Sequence, residues 1–316
     1  MSGFGWSSTT DEMLEGIDLA GRTVFITGAN SGLGQETARA MASKGAHVIL
    51  AGRDQAKLDE SVAAIRAEQP EAQLDTITLD LTSLESIRAA TSRARQRFDK
   101  IDILINNAGV MATPFTHTRD GFEMQFGTNH LGHFALTAEL MPLIERGQLK
   151  RIVNLSSRGH HFAPVDFDDP FFEHRPYDPW IAYGHSKTAN VLFSVGLEQR
   201  FAVLGIHAYA VHPGGIQTNL GRHMTAEMVE TLMARVTSKD TGFQWKTIPQ
   251  GAATSCWAAT AEELEGRGGV YCEDCHVAEV DDESSTGGVR SYAVNSSFAD
   301  RLWKLSEELT GAKFPS

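Results

Sequence analysis

The 316-residue sequence holds only three cysteines. So small and odd a number excludes the disulfide framework that staples small secreted domains. It also lacks basic excess: 28 Lys and Arg stand against 40 Asp and Glu, a net charge of −12. That balance argues against a chain-wide role on nucleic acid or an anionic membrane, while leaving room for one local phosphate pocket. No apolar run approaches the roughly 18–20 residues that span a bilayer. Met1 to Thr10 has no basic stretch followed by an apolar one, so it does not read as a secretory signal, and a cytoplasmic location is expected. Internal repeats, low-complexity tracts and a dividing linker are missing too. What remains is an ordinary composition, 41% hydrophobic, rich enough for a substantial core. The length suits one large α/β domain or two small ones, and without a linker one is expected.

Residues 1–20 read as a polar N-terminal leader and 21–316 as the domain. Within it, short β-branched runs alternate with helical patterns. Strands are expected at 22–27, 47–50, 75–79, 101–105, 151–155, 206–211 and 269–271, and helices at 32–44, 54–69, 83–98, 121–145 and 183–202. This alternation predicts an α/β fold: a Rossmann-like, doubly wound, seven-stranded parallel sheet. Two stretches, 158–180 and 219–247, break the rhythm. The first is rich in Asp, His, Pro and Phe; the second suggests one or two helices. Long excursions of this kind usually form lids or specificity loops.

The first expected strand runs into Thr27-Gly-Ala-Asn-Ser-Gly-Leu-Gly34 and then a helix. Gly28, Gly32 and Gly34 allow a tight turn and close approach to a pyrophosphate, and the helix start offers free N–H groups and a positive dipole end. Asn30, Ser31 and Leu33 complete this candidate cradle. The second strand ends Ala51-Gly52-Arg53, without the Asp or Glu that binds a ribose 2′-hydroxyl in NAD enzymes. A guanidinium there suits a 2′-phosphate, so NADP(H) is expected over NAD(H), which stays open; the plain alternative is a solvated Arg53. Asp54 can cap the next helix. Asp80-Leu81 follows the third strand, where Asp80 can reach an adenine amino group or, with Thr82, simply cap a helix. Asn106-Asn107-Ala108-Gly109 ends the fourth strand, its small residues leaving the sheet edge open to a cofactor.

Tyr183 and Lys187 stand four residues apart in a helical pattern, hence on one face. An ammonium there can lower a phenol from its usual value near 10, making an acid/base of it. Alone, that pair is weak. Ser156 and Ser157, however, end the fifth strand, at the carboxyl edge where α/β sheets bind ligands. Asn129 sits inside the expected helix 121–145, where Asn is mildly unfavourable; it has a local job or is merely tolerated.

In this order the motifs Thr27-Gly-x-x-x-Gly-x-Gly34, Asp80, Asn106-Asn-Ala-Gly109, Asn129, Ser157, Tyr183-x-x-x-Lys187 and Pro213-Gly-x-x-x-Thr218 resemble the short-chain dehydrogenase/reductase superfamily over about residues 20–275. The resemblance implies Tyr183 as acid/base, with Lys187 on the nicotinamide ribose. It implies that Ser157, rather than Ser156, steadies the substrate oxygen. Asn129 would bend its helix and hold a water that relays protons to Lys187. Pro213, Gly214, Ile216 and Thr218 would contact the nicotinamide amide. Tyr183 follows Ser157 by 26 positions, with Asp166-Phe-Asp-Asp169 between them. With the helix start Ser186-Lys-Thr-Ala-Asn-Val-Leu-Phe193 and the segment 269–275, this is similar to the retinol dehydrogenase and WW-domain-oxidoreductase branch. A hydrophobic alcohol or carbonyl substrate is thereby implied, as is a dimer or tetramer through helices 121–145 and 183–202, although the extra loops equally suit a monomer. The same residues could reduce an imine or enone, and a non-catalytic NADP(H) sensor is the further alternative.

Other features compete for attention. Cys272 and Cys275, with His276, resemble half of a zinc site, but a structural site needs about four ligands and no second pair follows, so no metal is expected. His130 and His133 read as core or supporting histidines. His160 and His161 either line a substrate pocket or lie in solvent. Phe171, Phe172 and Trp180 form a pocket wall or pack back on the domain. Asp281-Asp282-Glu283 reads as a solvated turn.

Overall fold

The computed structural model describes residues 3–221, 224–225, 227–230 and 244–315. Eight strands form one sheet: β1 Thr23–Thr27, β2 His47–Gly52, β3 Leu74–Thr78, β4 Ile103–Asn106, β5 Arg151–Leu155, β6 His207–His212, β7 Val270–Glu273 and β8 His276–Val277. Their order is β3-β2-β1-β4-β5-β6-β7-β8. The first seven are parallel, as expected. The eighth is a two-residue antiparallel addition, invisible as a pattern because a tight turn with Asp274 and Cys275 at positive φ simply folds the chain back. β1, β4 and β5 are buried along their whole length, as strands covered on both faces must be.

Among the described residues the main helices are α1 Thr10–Met13, α2 Gly32–Ala42, α3 Gln55–Glu68, α4 Leu84–Arg97, α5 Met124–Phe126, α6 Gly132–Ile144, α7 Pro179–Phe201, α8 Ile248–Thr260 and α9 Ser296–Thr310. Apolar side chains of α2 and α8, Met41 and Trp257 among them, fill one face of the sheet. Those of α4, α6, α7 and α9 fill the other. Residues 10–19, read as part of a polar leader, pack on the first of these layers: Met13, Leu14 and Leu19 are buried, and Thr9 caps α1 with a reciprocal bond to Glu12.

Two helices differ from expectation. The single helix 121–145 is divided by a π-helical segment, Gly127–Leu131, between α5 and α6. Asn129 lies in it, with both ends of its side-chain amide drawn to the Val110 backbone. The helix at 183–202 begins earlier, at Pro179, because Asp178 caps it by accepting from Trp180 and Ile181 N–H and proline suits the first helical position. α9 lies on α7, and Trp303 and Phe314 pack edge-on or tilted against Phe134 and Phe193. Of the expected 219–247 excursion, residues 222–223, 226 and 231–243 lie outside the described residues; Asn219–Gly221 makes a short 3-10 turn.

Candidate active site

The strand order reverses between β1 and β4, the position at which doubly wound sheets open a crevice for ligands. There the carboxyl ends of β1, β2, β4, β5 and β6 surround a cleft of about 1580 Å³. Every residue that the sequence assigns to the cofactor lines this cleft: Gly28 and Asn30 to Gly34, Arg53, Asp80, Leu81, Asn107 to Gly109, Tyr183, Lys187, Pro213, Gly214, Ile216 and Thr218. Ser157 lines it too. Asn129, fully buried, stands behind the wall.

The nucleotide side is built largely from backbone. Ser31 caps α2 without using its hydroxyl, leaving it and the N–H groups of the first helical turn open to the cleft. A Cβ at Gly32 would meet only the Thr218 methyl, at 3.6 Å, so this is a cradle that a side chain would fill. Gly34 answers a different need. A Cβ there would lie 2.3 Å from the Gly28 carbonyl oxygen and 2.5 Å from Asn107 Nδ2. The Asn107 side chain donates to the Thr27 and Gly28 carbonyls at 2.8 and 3.3 Å, so it staples the loop. Arg53 is exposed at the end of β2. Asp54 caps α3 by accepting from Lys57 N–H, and Lys57 joins Arg53 on the cleft wall, a second cation that the sequence reading did not single out. Asp80 accepts from the Thr82 N–H and hydroxyl, while Ser83 caps α4; Asp80 still faces the cleft. These residues fit a nicotinamide dinucleotide: a glycine-lined helix start for its pyrophosphate, with Arg53 and Lys57 farther along the same wall.

On the other side, Tyr183 is buried, and both it and Ser157 line the cleft. Its ring lies on Gly159, where a Cβ would come within 2.6 Å of Cε1. Nothing in the sequence marks Gly159. Lys187 donates from Nζ to the Leu155 carbonyl at 2.9 Å, and Nζ lies 5.6 Å from the Tyr183 ring centre. The two serines separate cleanly: Ser156 Oγ donates to the Lys187 carbonyl at 2.8 Å, whereas Ser157 accepts from Gly159 N–H and lines the cleft beside Tyr183.

Burial dominates the electrostatics. It pushes the Tyr183 phenol up to about 12, against the lowering effect of Ser157, and pushes Lys187 down to about 8. The expected depression of the phenol by Lys187 does not show: burial of the phenol is the larger effect, and Lys187 shares the same dry site. Asn129 is held from both ends of its side chain. Its Nδ2 donates to the Val110 carbonyl and to Ser186 Oγ, each at 2.9 Å, and its Oδ1 accepts from Val110 N–H. The side chain is thus committed to holding the π segment against the loop after β4.

Histidines brace this side. His160, fully buried, gives its Nδ1 proton to the Ser157 carbonyl at 2.8 Å and accepts from Arg290 N–H at Nε2. His212 accepts at Nδ1 from Arg158 and Gly214 N–H. His161 lines the cleft and donates to the Gly288 carbonyl. The segment 284–290 comes from far along the chain, which is why no local pattern places Arg290 here. Of the loop aromatics, Trp180 lines the cleft, while Phe171 packs on Phe122 and Phe126, and Phe172 stacks on His185. Cys256, Cys272 and Cys275 are all buried thiols, and among the described residues no group of three or more His, Cys, Asp and Glu could hold a metal. Nor, among them, is any helix long and apolar enough to cross a membrane.

Fold and cleft together define a nicotinamide-dependent oxidoreductase, and comparison with known proteins gives its family. The model of the short chain dehydrogenase family matches residues 22–229, and the chain belongs to that family. It is 41% identical to mouse (Mus musculus) retinol dehydrogenase 12 over 298 residues, 94% of this chain and 89% of that one. It is 38% identical to the Brassica napus chloroplastic short-chain dehydrogenase TIC 32 B over 317 residues, 98% and 94% of the two chains. The crystal structure of an uncharacterised protein from Mycobacterium paratuberculosis superposes with a TM-score of 0.75 at 35% identity, covering 98% of this chain and all of that one. The protein is thus an NAD(P)-dependent oxidoreductase of alcohol and carbonyl groups, on the branch that includes retinol dehydrogenases.

Proposed function

We propose that this protein interconverts a hydrophobic alcohol and its ketone or aldehyde, prefers NADP(H), and uses Tyr183 as acid/base. One observation carries the reading: Tyr183, its ring seated on Gly159, lines the cleft together with Ser157, with the buried Lys187 one helical turn away. When bound along the Gly28–Gly34 cradle, a nicotinamide dinucleotide supplies or takes up the hydride. In reduction Tyr183 gives its proton to the substrate oxygen, which Ser157 steadies by a hydrogen bond. A phenol held near 12 is fully loaded at neutral pH and still more acidic than the alcohol formed when it protonates the substrate alkoxide. Lys187, held near 8, is poised to return the proton. Asn129 contributes by fixing the wall behind Lys187.

The NADP preference is supported by Arg53 and Lys57, two cations beside the start of α3 with no carboxylate in the position that favours NAD. A hydrophobic substrate is supported by the apolar wall of Met111, Pro114, Met124, Phe162 and Trp180, and by the relatives named retinol dehydrogenase. The decisive experiment is turnover of NADPH against a panel of hydrophobic ketones and aldehydes by wild type and Tyr183→Phe. Loss of the phenolic proton should lower kcat by about 10²–10⁴-fold with NADPH affinity retained. Near-normal turnover by Tyr183→Phe would overturn the assignment.

A further inference from the structure

His133 takes no part in the reading above, yet both of its ring nitrogens are engaged and the residue is buried. Nδ1 lies 2.9 Å from the Asn129 carbonyl oxygen, which can only accept, so Nδ1 carries the proton. Nε2 therefore holds a lone pair, and it lies 2.9 Å from Thr27 Oγ1. That oxygen already receives the N–H groups of Asn107 at 2.9 Å and Ala108 at 3.0 Å, so its own proton must point elsewhere. Two acceptors are in reach, the Ile105 carbonyl at 3.5 Å and His133 Nε2 at 2.9 Å, and the shorter bond goes to His133. The result is a directed chain: Asn107 and Ala108 N–H to the Thr27 hydroxyl, Thr27 to His133, His133 to the Asn129 carbonyl. One end is the entrance to the glycine-rich loop. The other is the π segment that braces Val110 and Ser186, beside Lys187.

We propose that His133 is a positioning residue with two separable links, one ordering the nucleotide cradle at Thr27 and the other ordering the Asn129 segment behind Lys187. The inference rests on the catalytic reading of Tyr183 and Lys187 given above. The ring is suited to the task because it stays neutral: burial first, and the nearby Lys187 charge as well, press its basicity down to about 4. A protonated ring would turn a second N–H toward the Thr27 hydroxyl and lose that bond.

Two substitutions cut the chain at different links. His133→Asn keeps an N–H near the position of Nδ1 and can still serve the Asn129 carbonyl, but nothing reaches Thr27. His133→Gln reaches the position of Nε2 and can accept from Thr27, leaving the Asn129 carbonyl without its donor. NADPH affinity, measured by fluorescence titration without turnover, and kcat at saturating NADPH should then split. His133→Asn should weaken NADPH about 10-fold, one buried hydrogen bond's worth, with kcat within about twofold of wild type. His133→Gln should do the reverse. The double variant Thr27→Val/His133→Asn should bind NADPH no more weakly than Thr27→Val alone, because both remove one link. Equal effects of the two His133 variants on affinity and kcat, a lowered Tm as their sole effect, or additive losses in the double variant would each overturn the proposal. The affinity arm needs no catalysis, so it distinguishes failure of this link from failure of the acid/base assignment, which Tyr183→Phe reports.

Discussion

The two sides of the cleft are held by different chemistry. On the nucleotide side the main chain does most of the holding: the Gly28–Gly34 turn, the start of α2, and Asn107 stapled to the Thr27 and Gly28 carbonyls. On the substrate side, side chains distant in sequence carry the load. His160 joins Ser157 to Arg290, Tyr292 bonds the His160 carbonyl, and His185 stacks on Phe172. The buried Glu123 carboxylate, meanwhile, accepts from Tyr177 of the 158–180 excursion. A backbone cradle binds the invariant parts of a dinucleotide whatever its side chains. A side-chain wall can be rebuilt around different substrates, and its integrity depends on the protonation of its members.

That dependence gives the largest expected effect. His160 is pressed down to about 3 and His185 to about 4, and His212 lies well below its ordinary value, all chiefly by burial. A histidine whose folded value is depressed stabilises the fold above its unfolded value of about 6.5 and loses that contribution as pH falls below it. Each costs about 1.4 kcal/mol per pH unit in that window. Glu123 and Glu273, lifted by burial, work the opposite way, being relieved as pH falls, and soften the slope. Under the nucleotide half His133, bonded to Thr27 and pressed down to about 4, adds one such loss, while Asp102, which burial alone would raise, is held low by N–H bonds from Gln148 and Thr23 and by the Lys100 ammonium and fails only in the carboxylate range. Between pH 7.5 and 5.5, Tm should fall on the order of 10 °C. Hydrogen exchange should rise across 157–188 before it rises in β1 to β4. A flat Tm, or uniform loss of protection, would show that the two sides do not differ in this way.

A matched pair of glycine substitutions probes the same contrast more locally. Gly34→Ala drives a Cβ into the Gly28 carbonyl and Asn107, backbone and staple, while Gly159→Ala drives one into the Tyr183 ring. Overpacking of this kind costs about 1–3 kcal/mol, or roughly 10- to 100-fold in whichever property the site controls. Gly34→Ala should lose NADPH affinity and leave kcat at saturation nearly intact. Gly159→Ala should lose kcat and leave NADPH affinity intact. Equal losses in both properties for both variants would mean that the sides are mechanically one.

The contrast also explains what could be read from the sequence. The nucleotide side was legible because its requirements are local: a strand, three glycines at fixed spacing and a helix start fall within twelve residues, Thr23 to Gly34. Ser157, Tyr183 and Lys187 were legible for a similar reason, each lying on a strand end or helix of recognisable pattern. Gly159, His212 and Arg290 were not, because each acts through a contact made by the tertiary fold. The π segment was hidden inside an apparently uniform helical run, since its cause is the Asn129 grip on Val110, 19 positions away. α8 escaped as well: it is Ala-rich and buried on nearly every side, so it shows no amphipathic stripe. Asp178-Pro179 did carry a helix-start signal, masked by the irregular stretch before it.

The smallest effect concerns the rim of the nucleotide side, where the comparison is sharpest because this part of the site does rely on side chains. Arg53 is exposed, so its hold on a 2′-phosphate is screened by water and salt, and it shares the work with Lys57. Arg53→Ala should therefore reduce the NADPH-over-NADH preference in kcat/KM by only about 10-fold, near 1.4 kcal/mol, rather than abolish it. Adding Lys57→Ala should remove most of what is left. Raising the salt concentration should narrow the wild-type preference and leave that of the double variant unmoved. The structural integrity of the cradle should not enter: NADH turnover should be unchanged in all of these proteins, because the pyrophosphate is held by backbone. If Arg53→Ala leaves the preference where it was, Arg53 is a solvated surface residue, and discrimination between the cofactors lies elsewhere on the wall.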